Sequence, residues 1–342
     1  MRMIIPKKRL ISGTDEFYRS LSISGVPRAA PAYTSGTIWG MQTRRDLLRS
    51  LAGMTAGAAV ASAQARKGGY QPQICAQTYV WTQVFNRQKK PLGEGLEEML
   101  AATRRAGYSR VELMGAMVAP DLLPKTAELL KSNRLDPVIV YAAGPMHEAA
   151  AAEKTLTEIL QTADAARTIG TRVIETNPTP KGKKERKTDE ELAVQAKALG
   201  RLATALRERR MRLFVHHHDP EMADNAREWR HILKNTDPKL VLFCLDIDWV
   251  IRGGQQPLAL LREVGDRLGS LHIRNSRQGV WTESLDEGEY DYAAVADGLK
   301  QLRYRGYVVT ELAYDKATAI TRPLEEDLRL SRLFLEKTFG GG

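Results

Sequence analysis

Cysteine is scarce: the 342-residue chain has two, Cys75 and Cys244. They lie in separate apolar runs, which excludes a disulfide framework and a cysteine zinc ribbon and leaves two small buried residues. Histidine is scarce too, with six in all. No G-x-G-x-x-G phosphate loop follows the first apolar run, so the fingerprint of a dinucleotide-binding fold is missing. The apolar stretch within residues 43–65 is too short, and too poor in leucine and isoleucine, for a stable membrane span. No linker or change of composition divides residues 70–338, and the body has no disorder signature.

A net charge of +10 suggests a nucleic-acid partner, but its location argues otherwise. Residues 1–65 hold nine basic and three acidic side chains, leaving 42 against 38 in the remainder. The excess thus belongs mainly to the leader. There, "TRRDLLRSLAGMTAGAAVASAQA" (43–65) opens on Arg44 and Arg45, runs through an Ala/Gly-rich stretch and ends in alanines at A-x-A spacing. This is the layout of a twin-arginine signal peptide. Residues 41–65 are therefore expected to direct export to the periplasm, with only transient membrane contact. Residues 1–40, which precede Met41, are expected to be a disordered, over-long start.

From residue 70 onward, short apolar runs alternate with helix-period stretches. The runs are "QICAQTYVW", "RVELMG", "DPVIVYAAG", "TRVIETNP", "RLFVHHH", "LVLFCLDIDW", "SLHIRN" and "YVVTELAY". Eight strands, each followed by a helix, predict an α/β fold: a single (β/α)8 TIM barrel over residues 70–338. The basic run "KGKKERK" (181–187) follows the fourth strand and reads as a solvated loop on the C-terminal face.

Active sites of such barrels lie at the C-terminal ends of the strands. Here those ends carry Glu112, Glu175, His216 and His218, Asp246 and Asp248, His272, and Glu311. Six of eight strands thus end in carboxylates or imidazoles, and buried unpaired carboxylates are too expensive to recur by accident. In "RLFVHHHDPEM" (212–222), alternation turns Phe214, His216 and His218 toward the barrel axis. His217 then points outward as a structural residue, while Glu221 reaches back over the mouth. Oxygen and nitrogen donors without thiolate suit one divalent ion: Mn²⁺, Mg²⁺, Co²⁺, Fe²⁺ or Zn²⁺. Such an ion polarises a carbonyl while a neighbouring carboxylate or histidine moves a proton, the combination that sugar isomerisation and epimerisation through an enediolate requires.

The features "VELMG", "VHHHDPE", "CLDIDWVIRGGQQP", "GDRLGSLHIRNSR", "DEGEYDY" and "YRGYVVTEL" occur in an order that resembles the sugar phosphate isomerase/epimerase family, with its xylose isomerase-like barrel. The resemblance spans residues 72–338, and the leader resembles that of exported members. It implies a metal held by His216, Asp246, His272 and Glu311. Where the family has a strand-five glutamate this chain has His216, and Glu175 on the neighbouring strand is a candidate for the missing carboxylate. The resemblance further implies proton transfer by Glu311, with Glu175 and His218 as further candidates, and a substrate grip by Arg277. Arg274-Asn275 replaces the family's common Lys-Asp, and Trp249 stands where a histidine often follows the strand-six aspartate. Trp249 is suited to stacking on a sugar face, with Glu221 and Glu112 as polar contacts.

The expected substrate is a small carbohydrate, and export favours a free sugar, keto-sugar or glycoside over a sugar phosphate. A lyase or hydrolase on the same metal site is the first alternative. An abasic-site endonuclease and a sugar-binding protein without catalysis are remoter ones. The endonuclease would need more metal-binding histidines and a basic DNA-facing surface. No nucleic-acid partner is expected, and the chain is a candidate homo-oligomer.

Overall fold

The computed structural model describes residues 69–182 and 185–340. The expected extension and twin-arginine leader lie outside the described residues. Eight parallel strands form a closed barrel: β1 (Gln73–Gln77), β2 (Arg110–Met114), β3 (Asp136–Tyr141), β4 (Val173–Thr176), β5 (Arg212–Val215), β6 (Val241–Asp246), β7 (Leu268–Ile273) and β10 (Tyr307–Thr310). Their spatial order is the chain order, and β10 pairs with β1 to shut the ring. Closure leaves none of the eight barrel strands with an unpaired edge, and the expected (β/α)8 architecture is the one observed. The remaining strands, β8 (Ser276–Arg277) and β9 (Val280–Trp281), form a small antiparallel hairpin after β7. Gln278 and Gly279 turn it with φ of 52° and 77°, the paired left-handed conformation that matches strand twist in a two-residue loop.

Two apolar runs divide between strand and helix. In "QICAQTYVW" the strand stops at Gln77 and Tyr79 opens a helix that runs to Gln88. In "LVLFCLDIDW" the strand stops at Asp246, whose Oδ1 accepts a hydrogen bond from the Trp249 backbone N–H at 3.0 Å and so caps the helix Ile247–Arg252. The long helix Asp189–Glu208 begins with a reciprocal capping box between Thr188 and Glu191.

The lower part of the barrel interior is apolar, built from Cys75, Val138, Ile139, Val173, Phe214 and Val309. Gly269 on β7 makes room for it, since a Cβ there would lie 2.6 Å from the Phe214 ring. Above this layer the inward side chains turn polar. The basic run after β4 is less solvated than its composition suggests. Lys187 is buried, and its Nζ donates to Pro178 O, Gln195 Oε1 and Glu228 Oε1 at 3.1, 2.7 and 2.6 Å. A lone buried ammonium would be unaffordable, and these three acceptors explain its position. Among the described residues no helix is long and apolar enough to cross a membrane.

Candidate metal centre

Parallel pairing sets Asp246 on β6 directly beside His272 on β7 and carries Glu311 to the first position after β10. His216 occupies the corresponding position after β5. His216, Asp246, His272 and Glu311 each offer one ligand atom, and these atoms lie within 4.8 Å of one another. All four residues are 0–1% exposed.

Neither nitrogen of His216 has a hydrogen-bond partner, nor has Asp246 Oδ2, His272 Nδ1 or Glu311 Oε2. His216 Nε2 faces Asp246 Oδ2 at 3.6 Å, and His272 Nδ1 faces Glu311 Oε2 at 2.8 Å in Coulomb contact without a well-directed hydrogen bond. A buried polar atom left unsatisfied costs about 1–3 kcal/mol, and this cluster concentrates several. Atoms bound at about 2.1 Å to a shared ion stand up to about 4.2 Å apart, so sub-ångström shifts would close the set. Two imidazoles and two carboxylates, arranged in this way, fit a divalent transition ion.

Behind the cluster, further carboxylates address the far side of the His272 ring. Its Nε2 lies 3.0 Å from Glu112 Oε2 and 3.1 Å from Glu175 Oε1. Glu112 is itself held by Gln77 Nε2 at 2.8 Å, and Glu175 by the Ser270 hydroxyl at 2.8 Å. A proton on Nε2 leaves Nδ1 as the ligand atom, the arrangement by which outer carboxylates orient metal-binding histidines. Burial pushes the Glu175 carboxyl up, and the Glu112 charge pushes it further. For His272 burial opposes the charged ring, but Cys244, Glu175, Glu112 and Glu311 together outweigh it and raise its pKa. Glu311 shows the reverse balance: burial would raise it, yet Arg274 and His272 hold it down at about 2.

Arg274 is the cation of the chamber. Its Nη2 lies 2.6 Å from Glu311 Oε1 and its Nε donates to Glu311 O at 3.1 Å. Its guanidinium also stands 4.3 Å from the Trp281 ring centre and 5.5 Å from that of Trp249. The β8–β9 hairpin is fastened over this wall through Asp248, which accepts hydrogen bonds from Ser276 Oγ, Trp281 Nε1 and Arg252 Nε at 3.1, 2.8 and 2.6 Å.

The other expected site residues are distributed as follows. His218 is buried beside Trp249, with its Nδ1 2.9 Å from the Asn177 side-chain amide. Trp249 is buried with its indole N–H unpartnered. Glu221 Oε2 accepts the His218 backbone N–H at 2.7 Å, and burial pushes its carboxyl up. Glu112, expected at the substrate, instead sits behind His272, because its position in mid-strand lies deeper than the strand end. Arg277, the expected substrate grip, is exposed on the hairpin, and the arginine that meets Glu311 is Arg274. Period-two alternation from His272 carried that signal, since residues i and i+2 share a face. His217 is buried as well, and it accepts the Asp246 backbone N–H on Nε2 at 3.1 Å, a structural link between β5 and β6.

Fold and site together define a (β/α)8 barrel with a histidine–carboxylate cluster, suited to a cation, at the C-terminal mouth. The chain belongs to the xylose isomerase-like TIM barrel family, whose model matches residues 100–338. It is 26% identical over 169 residues to an inosose dehydratase of Clostridium tetani, covering 44% of this chain and 56% of that protein. It is 28% identical over 153 residues to an inosose dehydratase of Geobacillus kaustophilus, covering 40% and 50%. The chain thus spans about half the length of the curated relatives it matches. Solved structures with the same fold include D-allulose 3-epimerase of Methylomonas sp. (TM-score 0.64, 18% identity, 79% of this chain and 98% of that one). The 3-keto-D-glucoside 4-epimerase of E. coli is another, with TM-score 0.61, 18% identity, and coverage of 78% and 100%.

Proposed function

We propose that the protein is a metal-dependent enzyme that removes a proton beside the carbonyl of a keto-sugar or cyclic polyol ketone and returns it, as an isomerase or epimerase. The observation that carries this reading is the convergence of buried ligand atoms from His216, Asp246, His272 and Glu311, none in a well-directed hydrogen bond, at the mouth of a closed barrel. A divalent ion held there supplies Lewis-acid polarisation of a substrate carbonyl. Glu311, ionised and oriented by Arg274, is the residue we assign to proton removal. Glu175 and His218 are the candidates for proton return, and the Trp249–Trp281–Arg274 wall excludes water. Export through a twin-arginine leader remains part of the proposal and favours a non-phosphorylated substrate.

A second reading is dehydration, in which the same deprotonated intermediate expels a β-hydroxyl as water. The likeness to inosose dehydratases favours it. The metal-loaded protein should be incubated in D2O with ketoses, 3-keto-glucosides and inososes and followed by proton NMR. Deuterium at the carbon next to the carbonyl, with every hydroxyl retained, is the expected result. Loss of water selects dehydration. Absence of both exchange and water loss across the panel would sink the enzymatic reading.

A further inference from the structure

One inward position deeper on β6 than Asp246 lies Cys244, and a second set of ligand-type side chains converges around it. Glu175, His216, Cys244 and His272 each offer one donor atom, and these four atoms also lie within 4.8 Å of one another. All four residues are 0–1% exposed. Two features separate this set from ordinary buried polarity. Glu175 Oε1 and both nitrogens of His216 make no well-directed hydrogen bond, although Glu175 Oε1 lies 3.1 Å from His272 Nε2. His272 addresses the two sets with opposite atoms, Nδ1 lying 2.8 Å from Glu311 and Nε2 3.1 Å from Glu175. The other thiol, Cys75, is equally buried but packs with Phe214 and Val309 in the apolar layer below.

We propose that Glu175, His216, Cys244 and His272 form a second cation position beneath the mouth cluster, taking a thiophilic ion such as Zn²⁺ or Cd²⁺. A thiolate among imidazole and carboxylate donors selects such ions over Mn²⁺ and Mg²⁺, which the all-oxygen-and-nitrogen set above can accept. With both positions filled, the incoming ion replaces the thiol proton and the one ring N–H proton of each shared imidazole, His272 and His216, and all three leave to solvent. His272 turns Nε2 toward Glu175 and Nδ1 toward Glu311, so that ring can serve both positions, and His216 is shared between them as well. This position is independent of the reaction assigned above, and its test reads spectra rather than turnover.

Chelator-treated full-length protein titrated with Co²⁺ should develop visible ligand-field bands and an intense near-ultraviolet sulfur-to-cobalt charge-transfer band. Cys244→Ser should abolish the near-ultraviolet band and lower the stoichiometry by about one ion per chain, while Cys75→Ser leaves both unchanged. Asp246→Asn should weaken the visible bands and spare the sulfur band. A measurement without variants covers the case in which Cys244→Ser does not fold: X-ray absorption of the zinc-loaded wild type should show a sulfur neighbour at about 2.3 Å. Bound zinc without a sulfur neighbour overturns the proposal. So does a sulfur band that survives Cys244→Ser, or a failure of the wild type to bind either ion.

Discussion

Glu112 Oε2 lies 3.0 Å from His272 Nε2, on the opposite side of the imidazole from the mouth cluster. Both residues are fully buried, and the contact joins β2 to β7 across the barrel. In the neutral ring a carboxylate at Nε2 favours the proton there and leaves Nδ1, 2.8 Å from Glu311 Oε2, for the mouth cluster. Replacing Glu112 by Gln keeps the shape and removes the charge that holds the ring. Metal affinity should fall about 10–100-fold, the usual effect of losing such an outer carboxylate. Competition with a fluorescent chelator measures it, and unchanged affinity would show that Glu112 does not orient His272.

His216 and His217 are adjacent in sequence and opposite in role. His216→Ala removes one of the four mouth ligands and should leave the purified protein substoichiometric in metal by elemental analysis. His217→Ala should retain the metal but strand the buried Asp246 N–H, at a stability cost of about 1–3 kcal/mol. Equal metal loss in the two variants would contradict the strand phase.

Acid should destabilise the metal-free protein partly through His217. Burial, aided by the charge of His216, lowers its pKa to about 3, well below the ordinary histidine value. Below about pH 6.5 the unfolded chain therefore takes up a proton that the folded chain refuses, and stability falls as pH drops from there toward 3. His217→Gln keeps an acceptor for the Asp246 N–H without titrating, so its urea midpoint should depend less steeply on pH over this range. Parallel profiles for the two proteins would refute the assignment.

Gly269→Ala should destabilise the barrel by about 1–3 kcal/mol, because the added methyl must push the Phe214 ring aside in a packed interior. Thermal melts report the change, and the pairing Gly269→Ala with Phe214→Leu should recover part of it. No recovery in the double variant would mean that Phe214 is not what Gly269 accommodates.

Asp248→Ala should free the β8–β9 hairpin from the helix after β6, since it removes acceptors for Ser276, Trp281 and Arg252 at once. Faster limited proteolysis near Gln278–Gly279 is the expected readout, with metal content unchanged. Unaltered cleavage would show that other contacts hold the hairpin.

The alternation of apolar runs with helix-period stretches determined the barrel, because a closed parallel sheet needs little beyond buried strands and covering helices. The same period-two alternation placed His216 inward, and the recurrence of Glu, Asp and His at strand ends marked the mouth. Tertiary structure alone decided which of those residues meet. Parallel pairing sets Asp246 beside His272, but the depth of Glu112 depends on a register shift between β2 and β3 that no local pattern announces. Arg274 was legible as an inward residue by its spacing from His272, yet it meets Glu311, 37 residues further along the chain, only because β7 and β10 pair. Local sequence fixes the direction in which a side chain leaves its own strand. Distances across the barrel are set by the stagger of all eight strands together, and the coordination chemistry depends on those distances.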